Sequence, residues 1–153
     1  GIRVCTEVST DEPLFTFDLQ NAKLERVLQE ITNTCTNYVW EYDKSADCLN
    51  IYPAENSKTS RVFQSLDFGN VNLIDFLKKD GHLKLDEQSL YFDPARGNLT
   101  WLKTPMTVQG EGLSTRQVLN RLCLQLPFKA HWQIRKTEAG ARGKLILTFR
   151  RFW

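Results

Sequence analysis

The sequence predicts an α+β fold of repeated β-α-β-β units, with helices packed on one face of small mixed or antiparallel sheets. Two observations predict it. At three places in the 153 residues, the hydrophobic spacing changes from every second residue, typical of a strand, to every third or fourth, typical of a helix. Two short β-rich segments joined by a polar turn follow each change. Because such small units cannot bury their apolar faces alone, we expect them to share sheets or pack together.

The first unit opens with a strand in which Phe15, Phe17 and Leu19 alternate with polar residues. Asn21 is suited to cap the helix that follows. The apolar stripe of this helix consists of Leu24, Val27, Leu28, Ile31 and Cys35. The segments NYVWEYD and CLNIYP, joined by the polar turn KSAD, then predict a hairpin that completes the unit.

The second unit has the same order with a shorter helix. VFQSLDF alternates as a strand, and GNVNLIDFLKKDG has helical spacing that ends at Gly81. HLKLDEQSLYFD then predicts strand, turn and strand. The segment PARGNLTWLK, between the second and third units, predicts a turn and one extra strand.

The third unit begins at Met106 with an alternating segment, and Ser114 is suited to cap its helix. Pro127 stops this helix, and the two strands FKAHWQIRK and GKLILTFRRF follow, joined by a loop that contains glycine. The chain thus divides into a module of two strand-helix-hairpin halves, residues 1–95, and a smaller βαββ module, residues 96–153. The two modules can also pack as one compact unit.

Composition and charge are those of an ordinary globular protein. Hydrophobic residues are 41% of the chain, charged residues 25%, and the net charge is +2. A charge so close to zero argues against a dedicated nucleic-acid binder. No apolar segment approaches the ~18–20 residues of a membrane-spanning helix. Because the chain begins with Gly1 rather than Met, we expect that a signal peptide has been removed.

The four cysteines form no CxxC pair, and only His82 and His131 could assist them, so neither a zinc site nor another cofactor is predicted. An even number of cysteines permits two disulfides in an oxidising compartment. Cys35 ends the first helix and Cys48 opens the second strand of the adjacent hairpin, a placement that can bring two cysteines within disulfide distance. We therefore predict a Cys35–Cys48 disulfide; the alternative is that Cys35 is simply a core residue.

The first two units also resemble a known family. The segments FTFDLQNAKLERVLQEITNTCTNYVWEYD and VFQSLDFGNVNLIDFLKKDGHLKLDEQSLYF are similar to the two halves of the secretin and TonB-receptor short N-terminal (STN) domain. Met106 to Phe149 resembles the related βαββ modules that follow such domains in secretins. The resemblance implies a non-catalytic periplasmic module of the bacterial cell envelope. It also implies docking to other proteins, by strand addition or sheet-face contact.

Three residues near the C-terminus are candidates for partner contact. Arg150, Arg151 and Trp153 combine the two residue types most enriched in interface hot spots. Two alternatives remain open for this end of the chain. It could be a frayed terminus, or its arginines could belong to a basic surface that binds nucleic acid.

Two other classes of function remain as alternatives to the docking module. βαββ units can resemble KH modules, with Trp101, Trp132 and Trp153 stacking on single-stranded bases, but no GXXG loop is present. A small cysteine-dependent enzyme would need a Cys–His pair. The chain has no GxSxG, HExxH, P-loop or GxGxxG sequence, which disfavours an enzyme.

Overall fold

A five-stranded mixed sheet is the largest element of the computed structural model, which describes residues 3–8, 23–78, 99–136 and 145–151. Its strands are β1 (Arg3–Val8), β2 (Tyr38–Asp43), β3 (Cys48–Pro53), β6 (Ala130–Lys136) and β7 (Leu145–Arg151). Their spatial order is β2-β3-β1-β6-β7. Two further strands, β4 (Val62–Asn72) and β5 (Pro105–Ser114), form a separate antiparallel pair. The helices are α1 (Leu24–Thr34), α2 (Leu73–Lys78), α3 (Thr115–Gln125) and the 3₁₀ helix η1 (Leu99–Lys103).

The centre of the large sheet is β1, which the sequence analysis did not predict. It pairs in parallel with β3 on one side and with β6 on the other. The outer pairs, β2 with β3 and β6 with β7, are antiparallel hairpins. The first six described residues therefore join two hairpins that lie far apart in the sequence.

The helix α3 begins with the capping arrangement that its sequence predicts. The Ser114 side chain accepts a hydrogen bond from the Gln117 backbone N–H, and the Gln117 side chain accepts one from the Ser114 N–H at 2.8 Å. The helix ends at Gln125, two residues before Pro127. The prediction for this helix is confirmed at both ends.

The start of α2 differs from the sequence prediction. Helical spacing begins at Val71, but β4 continues to Asn72 because Val71 and Asn72 still pair with β5, beyond an irregularity that follows Phe68. The Asn72 side chain then accepts a hydrogen bond from the Asp75 N–H at 2.8 Å. Asn72, the last residue of β4, thus caps the first turn of α2 and sets the boundary between the strand and the helix.

The main hydrophobic core lies between the large sheet, the β4–β5 pair and α3. Its most deeply buried members include Val118, Leu119 and Leu122 from α3, Val108 from β5 and Trp132 from β6. Burial of this apolar surface is the dominant stabilising contribution to such a fold. The side chain of Cys48 in β3 belongs to this core. Its neighbour Leu49 points to the opposite face of the sheet and is also buried. The large sheet is therefore covered on both faces at β3.

The predicted fold class is confirmed, with helices that pack against mixed and antiparallel sheets. The order β-α-β-β is present for residues 105–151, and the predicted hairpin at residues 38–53 is also confirmed. The extra strand predicted in PARGNLTWLK is wrong, because residues 99–103 form the 3₁₀ helix η1. Leu102 of η1 is buried in the core, and Trp101 packs edge-on against Phe128.

Other parts of the predicted repeat fall outside the described residues. They are the strand at Phe15 to Leu19, Gly81 and the hairpin in HLKLDEQSLYFD. The helix cap predicted at Asn21 is wrong, because α1 begins at Leu24 and its N-cap is Lys23, whose backbone is extended and whose side chain makes no capping hydrogen bond. The repetition of three units therefore stays a prediction. The division into residues 1–95 and 96–153 also stays a prediction. Each of the two sheets contains strands from both ranges.

Candidate docking surface and the buried groups behind it

Among the described strands, β2 is one edge of the five-stranded sheet and pairs only with β3. Three large side chains of this strand are partly open to solvent: Val39 is 37% exposed, Trp40 38% and Tyr42 41%. Because Val39 and Trp40 are consecutive, apolar surface is exposed on both faces of the strand. An exposed apolar edge strand is a typical template for pairing with another chain.

The backbone of β2 presents hydrogen-bonding groups away from the sheet. The Ala54 N–H donates to the Asn37 carbonyl at 2.7 Å, which marks these two residues as a bonded pair of the antiparallel register. Bonded and non-bonded pairs alternate along an antiparallel ladder. The N–H and C=O groups of Trp40 and Tyr42 therefore point away from β3.

The hairpin turn fixes the Tyr42 side chain at this surface. The Tyr42 hydroxyl donates a hydrogen bond to Oδ1 of Asp47, a turn residue with a positive φ of 47°. This hydrogen bond to the Asp47 carboxylate is the main reason that the pKa of Tyr42 lies above its ordinary value. The ring is thus held in one orientation while its face remains accessible.

Behind β2, a buried polar chain connects the strand to α3 and β6. The Trp132 indole N–H donates to Oδ1 of Asn120 at 2.7 Å, and the Asn120 amide donates to Oδ2 of Asp43 at 3.0 Å. Burial alone would raise the pKa of Asp43, but hydrogen bonds from Ser45, Asn120 and the Ala46 N–H outweigh it and hold the pKa below its ordinary value. The chain satisfies polar groups that would otherwise destabilise the core.

Arg116, one turn before Asn120 on α3, fills the space between the same helix and β3. Its guanidinium carbon lies 3.6 Å from the centroid of the Tyr52 ring, and Nη2 lies 3.4 Å from Oε2 of Glu41. Arg116, Asn120 and Cys123 thus occupy positions i, i+4 and i+7 and lie on one face of α3. The two polar members, Arg116 and Asn120, were not predicted as functional residues, although their i, i+4 spacing is a signal visible in the sequence.

A second buried carboxylate, Glu7 of β1, holds the segment that leads into β4. Its Oε1 accepts from the Lys58 N–H at 2.7 Å, and its Oε2 accepts from the Ser57 hydroxyl and from the N–H and hydroxyl of Thr59. These four bonds satisfy a charge that would otherwise be costly to bury. The cluster therefore joins β1 to the segment between β3 and β4.

Two of the three predicted contact residues, Arg150 and Arg151, lie at the other edge of the sheet. Arg150 and Arg151 are in β7, where their backbones pair with His131 and Ala130. Their side chains and the whole of Trp153 lie outside the described residues. The structure therefore brings the backbones of Arg150 and Arg151 to an edge strand, but on the opposite side of the sheet from Trp40 and Tyr42.

All four cysteine side chains are buried, and no sulfur–sulfur bond is formed among them within the described chain. The predicted Cys35–Cys48 disulfide is thus not formed in this structure. Cys48 Sγ instead lies 3.2 Å from Cys5 Sγ, because the parallel pairing of β1 with β3 places both side chains on one face of the sheet. Burial raises the pKa of the Cys5 thiol. The pKa of the Cys48 thiol is also raised, mainly by its contact with Cys5 and secondly by its burial.

The strand positions separate two of the cysteines, Cys5 and Cys48, from His131. His131 precedes Trp132 on β6, so it lies on the opposite face of the sheet from Cys5 and Cys48. His82 lies outside the described residues. Within the described ranges, no group of three or more His, Cys, Asp or Glu side chains is placed to hold a metal ion. No helix in the same ranges is long and apolar enough to span a membrane.

Comparisons with protein-family models, with curated proteins and with solved structures find no match for this chain. The resemblance to the STN domain thus remains an expectation from the sequence. The inference about function depends on the exposed edge of β2 and on the buried groups that position it.

Proposed function

We propose that this chain is a non-catalytic protein-interaction module of the bacterial periplasm, and that a strand of an envelope partner adds to the edge of β2. The observation that carries this proposal is the combination, on one edge strand, of outward-pointing backbone groups with the exposed rings of Trp40 and Tyr42. In strand addition, backbone hydrogen bonds supply affinity and alternate side chains supply specificity.

The rest of the molecule supports a rigid docking surface. The Trp132–Asn120–Asp43 chain ties the end of β2 to α3, and Arg116 contacts Glu41 in the middle of the strand. A pre-positioned strand loses less conformational entropy on binding than a mobile one. Aromatic residues are also enriched in the energetically important part of protein interfaces.

The buried groups weigh against the two alternative functions. Trp132 is 0% exposed and its N–H is bonded to Asn120, so it is not available to stack on a nucleic-acid base. The raised pKa values of Cys5 and Cys48 keep these thiols protonated at neutral pH, whereas a nucleophilic cysteine needs a thiolate.

Site-specific photo-crosslinking in bacterial cells tests the proposal. A photoreactive phenylalanine analogue replaces Trp40 in one variant and Leu124, which is 49% exposed on α3, in the control. We expect one discrete protein adduct from position 40 and none from position 124. The adduct should disappear when Tyr42→Pro removes an outward N–H from the edge. Equal labelling at both positions, or no adduct at position 40, would contradict docking at β2.

Compartment and partner strand are tested separately. Osmotic shock should release the chain with periplasmic marker proteins if the proposed location is correct. Replacing Arg150 and Arg151 together by Ala tests the other edge, β7. If this double variant loses the adduct at position 40 and Tyr42→Pro does not, the contact at position 40 does not depend on backbone pairing with β2, and the proposed strand addition is wrong.

A further inference from the structure

We propose that Cys5 and Cys48 form a disulfide that cross-links the parallel strands β1 and β3 when the chain folds under oxidising conditions. The two sulfur atoms lie 3.2 Å apart. A disulfide requires about 2.05 Å, so the atoms need to approach by only about 1.1 Å. The bond would join β1 and β3 inside the hydrophobic core.

The register of the sheet explains why these two thiols meet. Arg3 pairs with Cys48 and Cys5 with Asn50, so Cys5 and Cys48 are diagonal neighbours on adjacent strands. Residues two apart on a strand have side chains on the same face. Both side chains are 0% exposed and belong to the same core cluster. The pair is therefore fixed by backbone pairing and not by flexible surface chain.

A third thiol lies beside the pair. Cys123 of α3 also interacts with the Cys5 thiol, and it too is buried in the same cluster. After the Cys5–Cys48 bond forms, Cys123 would remain as the reduced member of the group. The Cys5 thiol thus interacts with both other thiols, and its 3.2 Å separation from Cys48 Sγ is the geometry on which the proposed bond rests.

The oxidation needs an acceptor of two electrons, which a disulfide oxidant such as oxidised glutathione supplies. Each thiol loses one proton, the Cys5–Cys48 bond forms, and the S–S bond of the oxidant is reduced to two thiols. The raised pKa values disfavour the attacking thiolate in the folded chain. The bond therefore forms before the core closes, and burial then protects it from soluble reductants.

Tryptic mapping tests the proposal because each cysteine lies on a different tryptic peptide: residues 4–23, 27–44, 45–58 and 122–129. The full chain is refolded in reduced and oxidised glutathione, quenched in acid, denatured, alkylated with iodoacetamide and digested. We expect peptide 4–23 linked to peptide 45–58, with alkylated cysteine on the other two. The intact mass before alkylation should be about 2 Da below that of the reduced chain.

Matched variants assign the bond. Cys35→Ser and Cys123→Ser should each leave the link between peptides 4–23 and 45–58 in place, whereas Cys48→Ser should abolish it. Alkylation of all four cysteines in the refolded chain would overturn the proposal, as would a link that involves peptide 27–44 or 122–129. The wild-type map decides the question even if a variant fails to fold. Its result is independent of docking at β2.

Discussion

The indole N–H of Trp132 donates a hydrogen bond to Oδ1 of Asn120 at 2.7 Å, and neither side chain has solvent exposure. The same amide donates to the Asp43 carboxylate through its nitrogen. One asparagine on α3 therefore satisfies a donor from β6 and an acceptor from β2, two strands on opposite sides of β1. The buried amide of Asn120 therefore helps to fix the position of the edge strand β2.

Replacing Asn120 by Leu should destabilise the protein strongly. The substitution keeps the volume similar but leaves the Trp132 N–H without its acceptor and removes one donor from Asp43. An unsatisfied buried group costs about 1–3 kcal/mol, so we expect a loss of about 3 kcal/mol for the two together. Urea unfolding followed by tryptophan fluorescence measures the loss.

Leu124→Ala provides the matched control for that experiment, because Leu124 is exposed on the same helix. Its effect should stay within about 0.5 kcal/mol, as for other surface positions. If Asn120→Leu were equally mild, the Trp132–Asn120–Asp43 chain would contribute little to stability.

The lowered pKa of Asp43 predicts a loss of stability in acid. Its hydrogen bonds hold the folded-state pKa below the unfolded value, which is about 3.9 for an ordinary aspartate. The stabilisation is therefore present above about pH 4 and is lost as pH falls through the lower, folded-state pKa. The urea concentration at the unfolding midpoint of the wild type, measured from neutral pH down to pH ~2.5, should decrease once the pH drops below about 4.

Asp43→Asn cannot titrate, so it should be less stable at neutral pH but lose less stability between about pH 4 and pH 2.5 than the wild type. The comparison uses the change with pH and not the absolute midpoint. Parallel curves for the two proteins would show that another carboxylate controls the acid transition.

Glu7→Gln should loosen the segment before β4. A glutamine side chain has one acceptor oxygen, whereas both carboxylate oxygens of Glu7 accept bonds, from Lys58 on one side and from Ser57 and Thr59 on the other. One set of donors must then face the amide nitrogen. We expect a loss of about 1–3 kcal/mol and faster amide exchange at Lys58 and Thr59. Glu55→Gln, exposed just before the same segment, should change neither.

Local sequence signals predicted the elements that local interactions determine. The hairpin at residues 38–53 follows from two β-rich runs around a four-residue polar turn, and α3 follows from Ser114, Gln117 and Pro127. These residues act on neighbours within a few positions. Their effect is therefore the same in almost any surrounding structure.

The central strand and the docking edge depend on contacts between distant residues. β1 has only six residues, and Cys48 of its neighbour β3 lies 43 positions after Cys5. Nothing in RVCTEV indicates that both of its neighbours are parallel. The exposed aromatics of NYVWEYD are visible in the sequence, but the edge position of β2 depends on the strand order of the whole sheet.

Substitutions at two glycines of the β4–β5 pair distinguish the effect of backbone strain from the effect of side-chain packing. Gly112 has a φ of +63°, whereas Gly69 does not have a left-handed φ, and a Cβ atom at either position would meet nothing within 4 Å. Gly112→Ala should therefore destabilise the protein by about 1–2 kcal/mol, the cost of a left-handed conformation in an L-residue. Gly69→Ala should be neutral or stabilise by up to about 1 kcal/mol, because alanine reduces the entropy of the unfolded chain. Thermal unfolding of the two variants side by side measures the difference. Equal losses would mean that the strand backbone at Gly112 relaxes to accept a side chain, and that the β4–β5 pair is more adaptable than its register suggests.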